Sequence, residues 1–214
     1  MEIQKAVIFD LDGVIVHTDI YHYRAWKELA DRLGVPFDET ANNRLRGVSR
    51  MESLEIILEN GEFSRLPATE KAALADRKNE TYKALLQAMS PADLSPEVRG
   101  TLETLRKQGV RMAIGSSSRN AGLILEKIGL EGFFDAVSDG NNITNSKPDP
   151  EVFLKAAGFL CVRPQDCIVV EDADAGIEAA HRAGMKAVAM GDAVRAGRGD
   201  WNIAFFPELL SIFL

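Results

Sequence analysis

The chain has 214 residues, 46% of them hydrophobic, with 25 Lys and Arg against 32 Asp and Glu for a formal net charge of −7. That length and apolar content are enough for a full core, as one large domain or a domain with a sizeable insertion. The acidic balance, with no basic cluster interleaved with aromatics, excludes nucleic acid and anionic membranes as expected partners, and no apolar run approaches the roughly 20 residues that span a bilayer. Residues 1 to 5 lack the charged-then-apolar pattern of a signal peptide, so a cytoplasmic protein is expected. Cys161 and Cys167 lie outside any CxxC pair and read as core thiols, not as a disulfide framework or a zinc site.

In chain order, Ala6-Val7-Ile8-Phe9 is a continuous apolar run that predicts a strand buried on both faces, ending at Asp10-Leu11-Asp12-Gly13. The period then changes. Ile20 to Ala30 reads as an amphipathic helix closed by Leu33-Gly34 with Pro36 beyond, and two more helical patterns follow, at Glu52 to Glu59 and Thr69 to Met89. With no convincing strand between them, residues 16 to about 90 predict a helical insertion. Ser90-Pro91-Ala92-Asp93-Leu94-Ser95-Pro96 breaks the helical pattern and returns the chain to alternation.

That alternation runs helix (Pro96 to Gln108), strand (Val110 to Ile114), helix (Asn120 to Ile128), strand (Phe134 to Ser138), helix (Pro150 to Leu160), strand (Cys167 to Val170), helix (Ala175 to Ala183) and strand (Lys186 to Met190). Ile203 to Phe206 is expected as a last edge strand, before a short helix over Glu208 to Phe213. The pattern predicts an α/β fold with a parallel sheet.

Strand ends then carry four kinds of group: Asp10 and Asp12; Ser116 with Ser117 and Ser118; Lys147 in Ser146-Lys147-Pro148-Asp149-Pro150; and Glu171-Asp172. Open parallel sheets bind ligands in the crevice at the carboxyl ends of their strands. A hard cation such as Mg²⁺ takes carboxylate, carbonyl, water and phosphate oxygens, which Asp10, Glu171, Asp172 and the Asp12 carbonyl can supply. Ser116 and the amides leading into the next helix can donate to phosphate oxygens, and Lys147 adds a point charge. Neither a GxxxxGK[ST] loop nor a GxGxxG fingerprint is present. A carboxylate is ionised at neutral pH and can attack phosphorus, which suits Asp10, and a second acid two residues on can move a proton, which suits Asp12. Each piece also has a plain alternative: a surface turn at Asp10 to Gly13, a capping run at Ser116 to Ser118, a solvated loop lysine, and first-turn helix acids at Glu171-Asp172. Four coincidences in order are harder to dismiss than one.

Taken together, Asp10-Leu11-Asp12-Gly13-Val14, the strand ending at Ser116, Lys147-Pro148-Asp149-Pro150 and Glu171-Asp172 resemble the four motifs of the haloacid dehalogenase superfamily. The resemblance implies a doubly wound, Rossmann-like parallel-sheet core over residues 1–15 and 91–214, with an inserted α-helical cap over 16–90. It implies Asp10 as nucleophile, Asp12 as general acid and base, Ser116 and Lys147 as phosphoryl holders, and Mg²⁺ held by Asp10, Asp12, Glu171 and Asp172.

Within the insertion, Tyr21 to Trp26, Leu45 to Arg50, Arg77-Lys78-Asn79 and Ser90 to Asp93 resemble the cap of the superfamily's sugar-phosphate mutases. The resemblance implies that Gly47, Val48, Ser49 and Arg50 bind a second phosphate, and that Trp26, Ser53 and Lys78 line a sugar pocket. It implies Thr18 at the hinge and His22 beside the acid and base. Ser116, Ser117, Ser118, Arg119 and Asn120 are similar to a mutase phosphate loop, with Arg119 and Asn120 at the far end of a bisphosphate. The implied activity is isomerisation of β-glucose 1-phosphate to glucose 6-phosphate through an aspartyl phosphate, with glucose 1,6-bisphosphate as phosphoryl donor and intermediate. A small sugar phosphate is then the partner, and a monomer is expected. His17, Arg46 and the tail after Gly191 depart from the family pattern. The rival enzyme is a sugar-phosphate phosphatase with the same nucleophile, and the rival from another class is a sugar-phosphate-binding module without turnover.

Overall fold

The computed structural model describes residues 6–45 and 48–213. By compactness the chain divides into two units, one running to His17 and resuming at Ser90, the other Thr18–Met89. The first begins with β1 (Ala6–Phe9), every residue of which is buried.

The second unit is helical. In it, α1 (Asp19–Leu33) ends at Gly34, whose φ of 67° is the left-handed cap that glycine adopts without a Cβ penalty. Next, α2 (Glu39–Asn43) is capped by Asp38, whose carboxylate accepts from the Ala41 amide. At five residues α2 is too short to show an apolar period, and the sequence reading has no helix there. The Ser49 hydroxyl caps α3 (Arg50–Leu58) by accepting from the Glu52 amide at 3.2 Å, and α4 (Ala68–Leu86) follows Pro67. Both α1 and α3 pack on α4, around Trp26, Leu29, Phe37, Leu54, Leu58 and Ala75. Lys71 on α4 donates to both carboxylate oxygens of Glu55 on α3, at 2.9 and 2.7 Å.

Ser90 opens the return with a capping box to Asp93. The order is then α5 (Pro96–Lys107), β2 (Arg111–Gly115), α6 (Ala121–Lys127), β3 (Ala136–Ser138), α7 (Glu151–Phe159), β4 (Cys167–Glu171), α8 (Asp174–Arg182), β5 (Lys186–Ala189), α9 (Ala193–Ala196), β6 (Trp201–Asn202) and α10 (Leu210–Phe213). Among the described residues all six strands are parallel, in the order β3-β2-β1-β4-β5-β6. Side chains alternate along β1, so Ala6 and Ile8 join Phe153 and Ala156 of α7 and Ile177 and Ala180 of α8 on one face. On the other face Phe9 stacks on Phe206 with ring centres 5.7 Å apart and meets Phe134 edge-on at 6.1 Å. There the turn carrying Phe206 and α10 pack on α5. The sheet is thus doubly wound, and the strand order reverses between β1 and β4, the switch point at which such sheets bind ligands.

Two expectations need correction. The edge strand lies at Trp201–Asn202, upstream of Ile203 to Phe206. Asp200 and Ile203 donate to the Ala187 and Ala189 carbonyls, and beyond Ile203 the chain is diverted because the Glu208 carboxylate accepts the Ala204 and Phe205 amides. Cys161 is exposed, not a core thiol: it follows the end of α7 in the left-handed region, with φ of 53°. Cys167 is buried as expected, and burial, with Asp166 nearby, pushes its thiol up to about 11.

Candidate active site

The register that sets Phe9 against Val170 puts Asp10 level with Glu171, and the Asp10 amide extends the ladder to the Val170 carbonyl at 3.0 Å. Both carboxylates are buried, Asp10 at 7% and Glu171 at 1% exposure. Lys147, 6% exposed, donates to Asp10 and to Glu171 Oε1, the latter at 2.6 Å. A solvated loop lysine is therefore excluded. So are first-turn helix acids, because Glu171 closes β4 and α8 begins only at Asp174.

Burial is the largest influence on Asp10 and raises its pKa well above the carboxylate range; Lys147 opposes this, while Glu171, Asp12 and Asp172 add to it. Burial alone would lower the Lys147 pKa, but Asp10 and Glu171 more than reverse that, so the ammonium stays charged. One cation thus serves both Asp10 and Glu171. Among the described residues no three His, Cys, Asp or Glu side chains form a ready metal cage.

Two glycines shape this acidic cluster. Gly13 has φ of 91°, and a Cβ there would lie 2.1 Å from Asp172 Oδ2. A Cβ on Gly176, in the first turns of α8, would lie 1.9 Å from Glu171 Oε1. The sequence reading did not single out Gly176. Its only signal is a glycine inside a helical pattern, a costly choice unless something packs closely against it.

On the neighbouring strand, Phe9 pairs with Ile114, so Ser116 falls one residue beyond the level of Asp10. Ser116 is 1% exposed, and its hydroxyl accepts from the Ser118 amide at 3.1 Å while Ser118 Oγ accepts from the Asn120 amide at 3.2 Å. The serines therefore brace their own loop rather than simply capping α6. The Ser117 hydroxyl is buried without a hydrogen-bond partner among the described residues. Asn120 is buried, and exposed Arg119 donates through Nε to the Gly140 carbonyl at 3.2 Å.

The helical unit gathers its own candidates. Lys78, 3% exposed, places its ammonium 2.9 Å from His22 Nδ1 and 4.5 Å from the centre of the Trp26 ring. An ammonium only donates, so the neutral His22 carries its proton on Nε2. Burial first, then the charges of Lys78 and Arg50, hold the His22 pKa well below the usual histidine range. Its ring stacks on Tyr82 with centres 4.0 Å apart, a partner that no motif announced. Thr18 is buried and its carbonyl accepts from the Tyr21 and His22 amides at the start of α1. Ser49 and Arg50 open α3, Val48 precedes them half-buried, Ser53 is buried on the same helix, and Arg50 lies 3.7 Å from Asp76. Gly47 and Arg46 lie outside the described residues. A cavity of about 420 Å³ in this unit, walled by Leu33, Val35, Phe37, Ile56 and Phe63, contains none of the candidate residues.

A doubly wound parallel sheet with buried Asp10, Lys147 and Glu171 at its switch point defines an enzyme of the haloacid dehalogenase superfamily. A family model described as a haloacid dehalogenase-like hydrolase matches residues 4–184, and the chain belongs to that family. It is 45% identical to a β-phosphoglucomutase of Bacillus subtilis (strain 168) over 188 residues, which cover 87% of this chain and 83% of that protein. It is 34% identical to a fructose-1-phosphate phosphatase of Escherichia coli (strain K12), over 85% of this chain and 94% of the relative. Among solved structures, a β-phosphoglucomutase from Clostridium difficile superposes with a TM-score of 0.90 at 37% identity, covering 96% of this chain and 92% of that one.

Proposed function

We propose that this chain is a Mg²⁺-dependent β-phosphoglucomutase, interconverting β-glucose 1-phosphate and glucose 6-phosphate. The observation that carries phosphoryl transfer is the Lys147 ammonium buried between Asp10 and Glu171 at the sheet's switch point. The choice of a mutase rests on the relatives, of which a β-phosphoglucomutase shares 45% identity.

In this reading Asp10 attacks phosphorus in line, and Asp12 protonates the oxygen that leaves. Glucose 1,6-bisphosphate forms when Asp12 takes the proton of the attacking sugar hydroxyl and phospho-Asp10 gives up its phosphoryl group. The bisphosphate then reorients, and its other phosphate returns to Asp10. Lys147 offsets the charge of the transferring group throughout, and Ser116 with the loop to Asn120 donates to its oxygens. An oxyanion there would also give the buried Ser117 hydroxyl a partner.

The donor set suits a hard cation: it is all oxygen, and one lysine serves Asp10 and Glu171 while Asp12 and Asp172 stand near enough to push Asp10 upward. Asp10, the Asp12 carbonyl, Glu171 and Asp172 would hold Mg²⁺, which supplies charge neutralisation at the phosphoryl oxygens. Trp26, Ser53 and Lys78 are assigned to the sugar, Gly47 to Arg50 to the non-reacting phosphate, and Thr18 and His22 to the hinge and its support. The core is assigned to catalysis and the helical insertion to a cap, as the two compact units support. A mutase must keep water from phospho-Asp10 between half-reactions. A sugar phosphate is the only partner this reading requires, a monomer suffices, and the two unpaired cysteines fit the cytoplasm.

The deciding experiment supplies β-glucose 1-phosphate, Mg²⁺ and a trace of glucose 1,6-bisphosphate and resolves the products. Glucose 6-phosphate is the expected product. Inorganic phosphate released without glucose 6-phosphate would make the protein a sugar-phosphate phosphatase instead.

A further inference from the structure

Lys147 reaches its two carboxylates from a stretch with no regular structure. Residues 139–150, between β3 and α7, form turns and bends only, so their path depends on side-chain anchors. The first half is tied to the serine loop: the Gly140 amide donates to the Ser118 carbonyl at 3.1 Å and Asn141 Nδ2 to the Arg119 carbonyl at 2.9 Å.

The second half, which delivers Lys147, is tied to α7. Glu151 Oε2 accepts from the backbone amides of Thr144 at 3.0 Å and Asn145 at 2.8 Å, three and two residues before Lys147. Its other oxygen pairs with Lys155 one helical turn on, at 2.8 Å, and Lys155 also donates to the Asn142 carbonyl. Asp149 completes the turn: its amide donates to the Ser146 carbonyl at 3.0 Å and its carboxylate accepts the Glu151 amide at 2.9 Å.

Several features favour this arrangement. A carboxylate in the first turn of a helix is stabilised by the helix dipole, and one that accepts backbone amides forms stronger, shorter bonds than a neutral group. The Lys155 ammonium first, and the two amides behind it, hold the Glu151 carboxyl down to about 2. Glu151 is therefore an ionised acceptor across the neutral range. No motif reading assigned it a role.

We propose that Glu151 is a positioning residue for phosphoryl transfer: its carboxylate, by gripping the Thr144 and Asn145 amides, fixes the loop whose next residues carry the Lys147 ammonium to Asp10 and Glu171. The inference rests on the phosphoryl-transfer reading above. Without the clamp the loop keeps its ties to the serine loop and its Ser146–Asp149 turn but loses the one that holds Thr144 and Asn145, just ahead of Lys147. The ammonium then samples positions away from the transferring group.

The test compares wild type, Glu151→Ala, Glu151→Gln and Lys147→Met, with Glu151→Ala also placed in the Lys147→Met background, using Mg²⁺ and β-glucose 1-phosphate. Glu151→Ala should lower kcat/KM roughly tenfold or more, since misplacing a catalytic group by about 1 Å can cost ~100-fold. Glu151→Gln keeps one acceptor oxygen and should recover part of the loss, and it serves if the alanine variant fails to fold. In the Lys147→Met background the Glu151 change should cost almost nothing, because the group it positions is gone. Amide hydrogen exchange should rise at Thr144 and Asn145 in both Glu151 variants.

A folded Glu151 variant with wild-type kcat/KM would overturn the proposal. So would the same proportional loss with and without Lys147, which marks a merely structural residue. A wild type that transfers no phosphoryl group would instead remove the functional reading, an outcome seen before any variant is compared.

Discussion

At the level of single residues, Lys147 shows how one buried ammonium is shared between two buried carboxylates. It is one buried ammonium against Asp10 and Glu171, with two more carboxylates close by. Gly176 holds that cluster in place by having no side chain. In an ordinary helix interior alanine is favoured over glycine by about 0.5–1 kcal/mol. At Gly176 a Cβ would stand 1.9 Å from Glu171 Oε1, whereas at Gly122, in α6, nothing lies within 4 Å. Gly122→Ala should therefore raise the unfolding midpoint and leave turnover unchanged. Gly176→Ala should displace Glu171, lowering kcat and raising the Mg²⁺ needed for half-maximal rate by roughly tenfold or more. Steady-state kinetics across a metal titration checks both. His22 makes a pH prediction. Its folded-state pKa is lowered, so below about 6.5 the unfolded chain takes up a proton that the folded chain refuses, and stability falls as pH falls. His22→Asn keeps an acceptor for Lys78 and removes the titration. Its melting temperature should drop less than that of wild type between pH 7 and pH 5.

Between elements, α3 and α4 are joined by a pair whose members should not respond alike to mutation. Lys71 is 9% exposed while the side chain of Glu55 is 53% exposed. Removing Glu55 leaves a buried ammonium without its counter-charge, so Glu55→Ala should destabilise by about 1–3 kcal/mol. Lys71→Met fills the same space without a charge and leaves only an exposed carboxylate, so it should be within about 1 kcal/mol of neutral. Urea unfolding of the two variants reads the difference in sign and size directly. The same scale shows where local patterns run out. Long periodic helices and four-residue apolar strands were legible because burial on one or both faces writes a period into the residues. The five-residue α2 was not, because it is too short to show a period, and the two-residue β6 was not, because its position depends on ladder partners elsewhere in the chain, Asp200 with Ala187 and Ile203 with Ala189.

For the whole molecule, the all-oxygen donor set at the switch point predicts that a divalent cation stabilises as well as activates. Chelation should abolish turnover, and Mg²⁺ should restore it. Thermal unfolding followed with increasing Mg²⁺ should show stabilisation of about 2.7 kcal/mol at a free concentration near 100 Kd. No change in either measurement would remove the metal from the mechanism. What the sequence determined by itself was the α/β alternation, the helical insertion, and the acids and serines at strand ends, because burial period and turn chemistry are local properties; Lys147, expected at a strand end, lies in the loop nine residues past Ser138. The superfamily followed from those motifs in order. The tertiary structure alone decided the strand order β3-β2-β1-β4-β5-β6, which sets Asp10 beside Glu171 although 161 positions separate them. It alone decided that Lys147 is buried between them rather than solvated, that Gly176 must lack a side chain, and that Glu151 grips the loop before Lys147. Those facts depend on residues distant in sequence meeting in space, and no local period encodes such a meeting.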